Sequence, residues 1–293
     1  MSFSPDWLAL REPADARARN GEVASALAAH FALRDSVRVV DLGCGAGSNL
    51  RATAPLLPAR QSWTLVDYDA RLLAAARVAL IGWADEAHEH DTGVLELRAA
   101  GRRIHVEFLE LDLARDLERA LEGKPDLVTA AALFDLASPA FIRRAAQATA
   151  RNRAVFYTVL TYNGIQHWQP RQPSDGQMTQ AFNLHQMSDK GFGASAGPTA
   201  PVELAEQLEL AGYAVIEGQS PWRLSAHQEA RLIGELVEGQ AAAVRETRAV
   251  DAAIVDRWQA ITRTGAEVGH VDTLGLPPPG FDDEDNVGDS GDL

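Results

Sequence analysis

The chain alternates short apolar segments with longer segments in which apolar residues recur at helical spacing. The short segments are rich in β-branched and aromatic residues, which is typical of strands, and lie at 37–40, 63–66, 104–108, 126–131, 154–160, 213–217 and 268–276. The longer segments predict helices at 49–57, 70–84, 201–211, 225–247 and 252–264, and the segment before residue 32 is also helical and amphipathic. Ser225 and Gln228 have capping-box spacing at the start of one of these helices. Strands alternating with helices predict an α/β protein built on a parallel sheet.

The first strand ends in a glycine-rich turn that is preceded by an acid. Asp41 is followed by Gly43, Gly45 and Gly47, so one side of the turn lacks side chains and a ligand can approach the bare backbone. A dinucleotide fingerprint would place its third glycine at position 48, where this chain has Ser48. The Gly-Lys-Ser/Thr ending of a triphosphate-binding loop is also missing. A carboxylate beside the ligand favours a cationic amine or sulfonium over a pyrophosphate.

Acids also follow the second and third predicted strands. Asp67 lies about 20 residues beyond the glycines, where a ribose-binding acid is expected. Asp69 is better explained as the cap of the helix at 70–84, and Asp112 lies on the loop after the third strand. Ligands of open α/β sheets bind at the carboxyl edge of the strands. We therefore expect these acids to surround one nucleoside.

The Asp-x-Gly-x-Gly-x-Gly pattern resembles the first motif of the class I S-adenosylmethionine-dependent methyltransferases, and the resemblance covers residues 36–162. It implies a seven-stranded, mostly parallel Rossmann-like sheet in the order 3-2-1-4-5-7-6, flanked by helices. It also implies S-adenosyl-L-methionine as the cofactor, with Asp112 accepting from the adenine amino group and the Leu113 amide facing the ring. Arg11 is a candidate for the carboxylate of the donor, although an exposed helix ion pair explains it equally well. The cofactor-binding residues expected in all are Arg11, Asp41, Gly43, Gly45, Gly47, Asp67, Tyr68, Asp112, Leu113 and Ala131.

The chain of 293 residues is expected to form one domain over 1–276. Its expected parts are an N-terminal helical cap (1–35), the cofactor-binding core (36–162), a lid over the substrate (163–200), and a C-terminal part of the sheet with a helical insertion (201–276). The acidic segment 277–293 has almost no apolar residues and is predicted to be disordered.

Methyl transfer by in-line displacement needs a general base only if the acceptor must lose a proton. His167 and His185 of the lid are the catalytic candidates, with His270 as a third, because neutral imidazole accepts a proton near pH 7. Phe134 and Asp135 follow the fourth strand, and two interpretations of each stay open. Phe134 lines the methyl channel or is a core residue, and Asp135 orients the substrate or caps the next helix. No metal-ligand spacing is present, so no metal site is predicted.

The formal net charge of −14, with only two lysines, disfavours a nucleic-acid substrate. The sequence has no signal peptide and no apolar run that could span a bilayer, so a cytoplasmic protein acting on a small molecule is expected. Its single cysteine, Cys44, excludes an intramolecular disulfide. Two other functions stay open: a Rossmann-type NAD(P)-dependent oxidoreductase, which the glycine spacing disfavours, and a non-catalytic protein that binds the donor.

Overall fold

The computed structural model describes residues 3–278 as an α/β domain with a central sheet flanked by helices. The predicted disordered tail lies outside the described residues from position 279 onward. None of the helices between residues 3 and 278 combines the length and the apolarity that a membrane crossing requires.

The strands follow the apolar segments of the sequence but extend beyond several of them. They are β1 (Ser36–Leu42), β2 (Arg60–Asp67), β3 (Glu86–Glu89), β4 (Leu95–Ala99), β5 (Arg102–Glu110), β6 (Leu127–Ala131), β7 (Val155–Gln169), β8 (Ala214–Gln219), β9 (Trp222–Ser225) and β10 (Gly265–Leu276). Their order across the sheet is β3-β4-β5-β2-β1-β6-β7-β10-β8, and β9 pairs with β10. The five strands from β5 to β7 are parallel, so their carboxyl ends meet at one edge.

Most of the helices begin at a residue whose side chain satisfies a free backbone amide. Asp69, Asp112, Ser138 and Asp251 each accept from an amide of the first turn of the helix that follows. The helices are α1 (Pro5–Ala18), α2 (Gly21–Phe31), α3 (Ser48–Thr53), α4 (Ala70–Trp83), α5 (Leu113–Ala120), α6 (Pro139–Arg151), α7 (Asp175–Gln186), α8 (Ala200–Leu210), α9 (Ala226–Thr247) and α10 (Ala252–Gln259).

The expected seven-stranded sheet is wrong in strand number, and the strand order differs with it. The sheet described for residues 3–278 has ten strands. The unpredicted strands are β3 and β4, which extend one edge, and β9, which pairs with one end of β10. All four residues of β3 are exposed, so its sequence carries no apolar alternation that could have indicated a strand. Without these three strands the order is β5-β2-β1-β6-β7-β10-β8.

The segment predicted as a lid is partly sheet. β7 continues to Gln169, which pairs with Gly265 of β10. Trp168 is buried, and its ring packs edge-on against Trp258 at 5.3 Å between centroids. The Arg263 guanidinium, 4.8 Å from the Trp258 ring, bonds Asp175 at the start of α7. This part of the segment is therefore held by core contacts.

The capping at the start of α9 also differs from the prediction by one residue. Ser225 accepts from the His227 amide, as a cap should. The return bond to the Ser225 amide comes from Glu229 and not from Gln228. The motif is therefore a variant of the expected capping box.

Candidate functional site

A cavity of about 560 Å³ opens at the carboxyl edge of β1, β2, β5 and β6. The glycine turn after β1 forms its floor, α1 covers one side, and the loop at 190–192 covers another. A volume in this range is ordinary for a small-molecule site. Eight of the ten predicted cofactor residues line it, namely Arg11, Gly43, Gly45, Asp67, Tyr68, Asp112, Leu113 and Ala131.

Gly43 and Gly45 are in the cavity wall with φ angles of +65° and +52°, a region that favours glycine. Gly47 has φ +75° but lies outside the wall, at the cap of α3. A Cβ on Gly47 would come within 3.3 Å of the Ala76 Cβ on α4. Gly43 and Gly45 thus expose backbone to the cavity, while Gly47 allows α3 and α4 to pack closely.

Asp67 at the end of β2 is joined to the glycine turn. Its Oδ2 accepts from the Gly45 amide at 3.0 Å, and its Oδ1 accepts from the Asp69 amide at 3.0 Å. Burial raises the pKa of this carboxyl above its ordinary value, and the two amide bonds oppose that shift. Each carboxylate oxygen has a second lone pair, so Asp67 can still accept from a ligand. The neighbouring Tyr68 is more than half exposed at the cavity mouth.

Asp41, predicted as a ligand contact, does not line the cavity. It is fully buried beneath the turn, where its Oδ1 accepts from Asn49 Nδ2 at 2.8 Å. Asn49 also donates to Thr129 of β6 and accepts from Arg19. Desolvation raises the pKa of Asp41 to about 7, although the Asn49 bond and the Arg19 charge oppose the shift. The first acid of the motif therefore fastens α3 to the sheet.

Asp112 and Leu113 lie in the wall at the start of α5. The Asp112 Oδ1 caps the helix by accepting from the Ala114 amide at 3.0 Å, and its side chain is half exposed. Glu110, two residues earlier, is also in the wall and lies opposite Asp67 in the ladder between β2 and β5. Glu110 was missed by sequence reasoning, although its place directly before the loop was a usable signal.

The end of β6 gives the cavity a wall of small and apolar residues. Ala131, Ala132, Leu133 and Leu136 line it. Ala132 has φ +51°, an uncommon conformation for a residue with a side chain. Its amide donates to the Val159 carbonyl at 2.9 Å, which holds the strained residue in place. Backbone strain of this kind clusters at functional sites.

Phe134 and Asp135 follow this wall but lie behind it. Phe134 is fully buried and packs against Phe156, as the core reading expects. Asp135 is nearly buried; desolvation raises its pKa to about 6, and the Arg11 charge opposes that shift. The cap of α6 is Ser138 and not Asp135.

Arg11 reaches the cavity from α1. Its Nε donates to Asp15 Oδ2 at 2.8 Å, and Asp15 Oδ1 accepts from the Trp222 indole at 2.9 Å. The guanidinium lies 5.2 Å from the centre of the Trp222 ring. The helix ion pair is therefore present, but it is largely buried and not exposed as expected. It holds Arg11 in the wall with the rest of its guanidinium available to an anion.

The predicted histidines are not in the wall. His167 is exposed on β7, and His270 is buried with its pKa lowered to about 3 by desolvation and the nearby Arg11 charge. His185 lies one contact behind the wall, with Nδ1 3.3 Å from Nζ of Lys190. Lys190 and Phe192 do line the cavity, and sequence reasoning placed both in the lid without assigning them a role. Between residues 3 and 278, no group of three His, Cys, Asp or Glu side chains could hold a metal ion.

Three solved structures share the fold over most of their length. The YcgJ protein from Bacillus subtilis is 12% identical, with a TM-score of 0.50, over 89% of this chain and 100% of that chain. A "putative methyltransferase" from Bacillus halodurans is 13% identical, with a TM-score of 0.50, over 88% and 100%. The chain has a class I methyltransferase fold. A cyclopropane-fatty-acyl-phospholipid synthase-like protein from Lactobacillus casei is 16% identical, with a TM-score of 0.52, over 91% of both chains.

No protein-family model matches the sequence, and no curated protein matches it either. The structural similarity establishes the methyltransferase fold. At 12–16% sequence identity it establishes nothing about the reaction. The evidence for the function therefore comes from the residues of the cavity.

Proposed function

We propose that this protein is an S-adenosyl-L-methionine-dependent methyltransferase that transfers the methyl group to a small molecule and releases S-adenosylhomocysteine. The observation that carries the proposal is the convergence of two strand-end acids and two bare glycines on one cavity. Asp67, Asp112, Gly43 and Gly45 come from three separate strand ends, yet all of them line it.

Each part of the donor has a complementary group in the wall. Asp67 would accept from the ribose hydroxyls, because a carboxylate oxygen takes more than one hydrogen bond. Asp112 and Leu113 would face the adenine, and the backbone at Gly43 and Gly45 would contact the methionyl part. Arg11 would pair with its carboxylate, because the Nε–Asp15 bond leaves the terminal nitrogens of the guanidinium free to donate.

The charges near the glycine turn argue against a dinucleotide. Arg51 lies close to the turn, but its Nε and Nη2 both donate to Glu12, at 2.8 Å and 2.6 Å. Arg51 is therefore not free to neutralise a pyrophosphate, whereas Asp67 fits either ligand, because dinucleotide sites also place an acid against the ribose. This arrangement disfavours a ligand that carries a pyrophosphate close to the turn.

When bound, S-adenosylmethionine would supply an electrophilic methyl group on a positively charged sulfur. The chain would contribute alignment and water exclusion, which are large terms when two reactants are held in near-attack geometry. Gly43, Gly45 and Ala131 would let the donor lie against backbone, and Leu133, Leu136 and Phe192 would keep water from the reacting atoms.

Calorimetry with S-adenosylhomocysteine and with NAD, each added to the full chain, tests the cofactor. Binding of S-adenosylhomocysteine alone supports the proposal, and binding of NAD alone rejects it in favour of an oxidoreductase. Turnover is tested by incubating the protein with methyl-labelled donor and a small-molecule metabolite extract. A protein that binds the donor but labels no metabolite would be a binding protein and not an enzyme.

A further inference from the structure

Three ionisable side chains form a line from the protein surface to the cavity. Glu246 on α9 is 72% exposed, and its Oε2 lies 3.0 Å from Nε2 of His185 on α7. The Nδ1 of the same ring lies 3.3 Å from Nζ of Lys190, which is in the cavity wall. The imidazole therefore contacts the lysine with one nitrogen and the surface carboxylate with the other.

The loop that carries Lys190 is fastened to the short turn that follows β6. Ser195 donates through its hydroxyl to the Leu136 carbonyl, and the Ala196 amide donates to the Ala137 carbonyl, each at 2.8 Å. The Phe192 ring packs on Phe141 of α6 at 4.6 Å between centroids. Lys190 is thus held at the β6 side of the cavity.

The strand order shows which end of the donor this side would receive. Across the sheet the order is β5-β2-β1-β6, and the acids for adenine and ribose follow β5 and β2. A donor whose nucleoside lies over β5 and β2 would have its sulfonium near β1 and β6. In an in-line displacement the acceptor must approach the methyl carbon on the side opposite the sulfur, away from the nucleoside, and Lys190 lies at this end of the cavity.

The surroundings of Lys190 favour its neutral form. The residue is 9% exposed, and burial lowers the pKa of its ammonium, with the more distant Glu246 charge opposing the shift. The neighbouring Asp189 carboxylate accepts from the Gly191 and Gly193 amides. Among residues 3–278, no carboxylate lies within ion-pair distance of the Lys190 ammonium. Buried lysines of this kind can serve as general bases, because burial disfavours the charged ammonium.

We propose that Lys190 is the general base of the methyl transfer and that His185 is its positioning residue, an inference that rests on the proposed function. The neutral amine takes the proton from a hydroxyl of the acceptor as its oxygen bonds to the methyl carbon. Where the acceptor is a protonated amine, the proton is taken first, and the freed electron pair on the nitrogen then bonds to the methyl carbon. The bond from carbon to sulfur breaks, and its electron pair stays on the sulfur. The proton leaves Lys190 through His185 toward Glu246. The acceptor is therefore an oxygen or nitrogen nucleophile that must lose a proton.

The variant Lys190→Arg separates this role from simple attraction of an anion. Arginine keeps the positive charge but is not deprotonated in proteins. It should therefore abolish a base and preserve an anion-binding group. Lys190→Met removes both properties, and Lys124→Arg is the matched control, since Lys124 is the other lysine of the chain.

The experiment measures methyl transfer from labelled donor into a metabolite extract, together with S-adenosylhomocysteine affinity. We expect Lys190→Arg and Lys190→Met to lose about 100-fold or more in rate, as for removal of a general base, with unchanged affinity. His185→Gln should displace the rising limb of the pH–rate profile, which a purely structural histidine would leave in place. Lys124→Arg should behave as the natural protein does.

Transfer retained by Lys190→Arg would overturn the base role and make the lysine an anion-binding group. Failure of the natural protein to bind S-adenosylhomocysteine would instead refute the proposed function, whatever the role of Lys190. If the natural protein binds the donor product but labels no metabolite, methyl transfer is not its reaction and the base role is rejected with it.

Acylation gives a second measurement that needs no acceptor. Acetic anhydride reacts with neutral amines, so mass spectrometry of a pH series reports the titration of the two lysines separately. The acylation of Lys190 should reach half of its maximal rate at a lower pH than the acylation of Lys124. Added S-adenosylhomocysteine should slow the acylation of Lys190 and not that of Lys124. Equal titration of the two lysines would overturn the inference.

Discussion

The carboxylate of Asp67 accepts a hydrogen bond from the backbone amide of Gly45, with 3.0 Å between Oδ2 and the nitrogen. The two residues belong to different strand ends, β2 and β1, so this bond makes the acid and the glycine turn one unit. The second oxygen of Asp67 is held by the Asp69 amide. The carboxylate that we propose as the ribose ligand is thereby fixed in orientation by the protein itself.

Replacing Asp67 should weaken the binding of S-adenosylhomocysteine, the product formed from the methyl donor. Asp67→Ala removes charge-assisted bonds to the ribose, which contribute roughly 1.5–3 kcal/mol, so affinity for S-adenosylhomocysteine should fall about 10- to 100-fold. Calorimetry checks this, with urea unfolding to correct for the lost bond to Gly45. Asp35→Asn is the control, because the Asp35 side chain is 92% exposed. Unchanged affinity in Asp67→Ala would remove Asp67 from the binding site.

Arg11 makes a prediction that depends on which part of the ligand is present. Arg11→Met should lower the affinity for S-adenosylhomocysteine about tenfold, because it removes an ion pair with the carboxylate of that ligand. Binding of 5′-methylthioadenosine, which lacks the amino-acid part, should stay unchanged. Arg17→Met is the control, since Arg17 lies on the same helix and pairs with Glu229 on the surface. If Arg11→Met lowers the affinity for both ligands equally, the arginine stabilises the cavity and does not contact the carboxylate.

The meeting of the acids and glycines at one cavity could be predicted from the sequence, because the ends of parallel strands lie at one edge of a sheet. Asp67, Asp112, Gly43 and Gly45 needed only their positions after apolar runs. Asp41 was assigned the wrong contact because sequence spacing cannot show which side of a turn a carboxylate faces. In the structure it points to Asn49, a partner eight positions along the chain.

The continuation of β7 into the predicted lid could not be predicted for a related reason, and neither could the approach of Lys190 to the cavity. Residues 163–169 continue β7 because β10 offers a partner almost 100 positions later, which no local pattern reveals. The approach of Lys190 to the cavity depends on the bonds from Ser195 and Ala196 to the short turn that follows β6. Such long-range packing decides which of several polar residues in a long insert reaches a site.

The glycine turn allows a direct test of backbone conformation. Gly43→Ala would place a side chain at φ +65° and 3.0 Å from Leu133 Cδ1, so we expect a loss of about 1–2 kcal/mol in unfolding free energy. Donor-product affinity should fall as well, because Leu133 lines the cavity. Gly239→Ala is the opposite control: a Cβ there meets no atom within 4 Å, and a helix-interior alanine should stabilise by up to about 1 kcal/mol. Equal effects of the two substitutions would show that the turn tolerates side chains.

Asp41 predicts a pH dependence of stability. Its folded pKa of about 7 is raised from 3.8, so folding favours the protonated acid. The stability this provides is full below pH 3.8 and is lost as pH rises to about 7, amounting to roughly 4 kcal/mol by linkage. Asp41→Asn cannot ionise, and its amide oxygen can still accept from Asn49. Its stability relative to the natural protein should therefore increase between pH 4 and pH 7, as urea unfolding across that range would measure. A pH-independent difference for Asp41→Asn would mean that the pKa of Asp41 is the same in the folded and unfolded protein, because Asn49 and Arg19 fully offset the effect of burial.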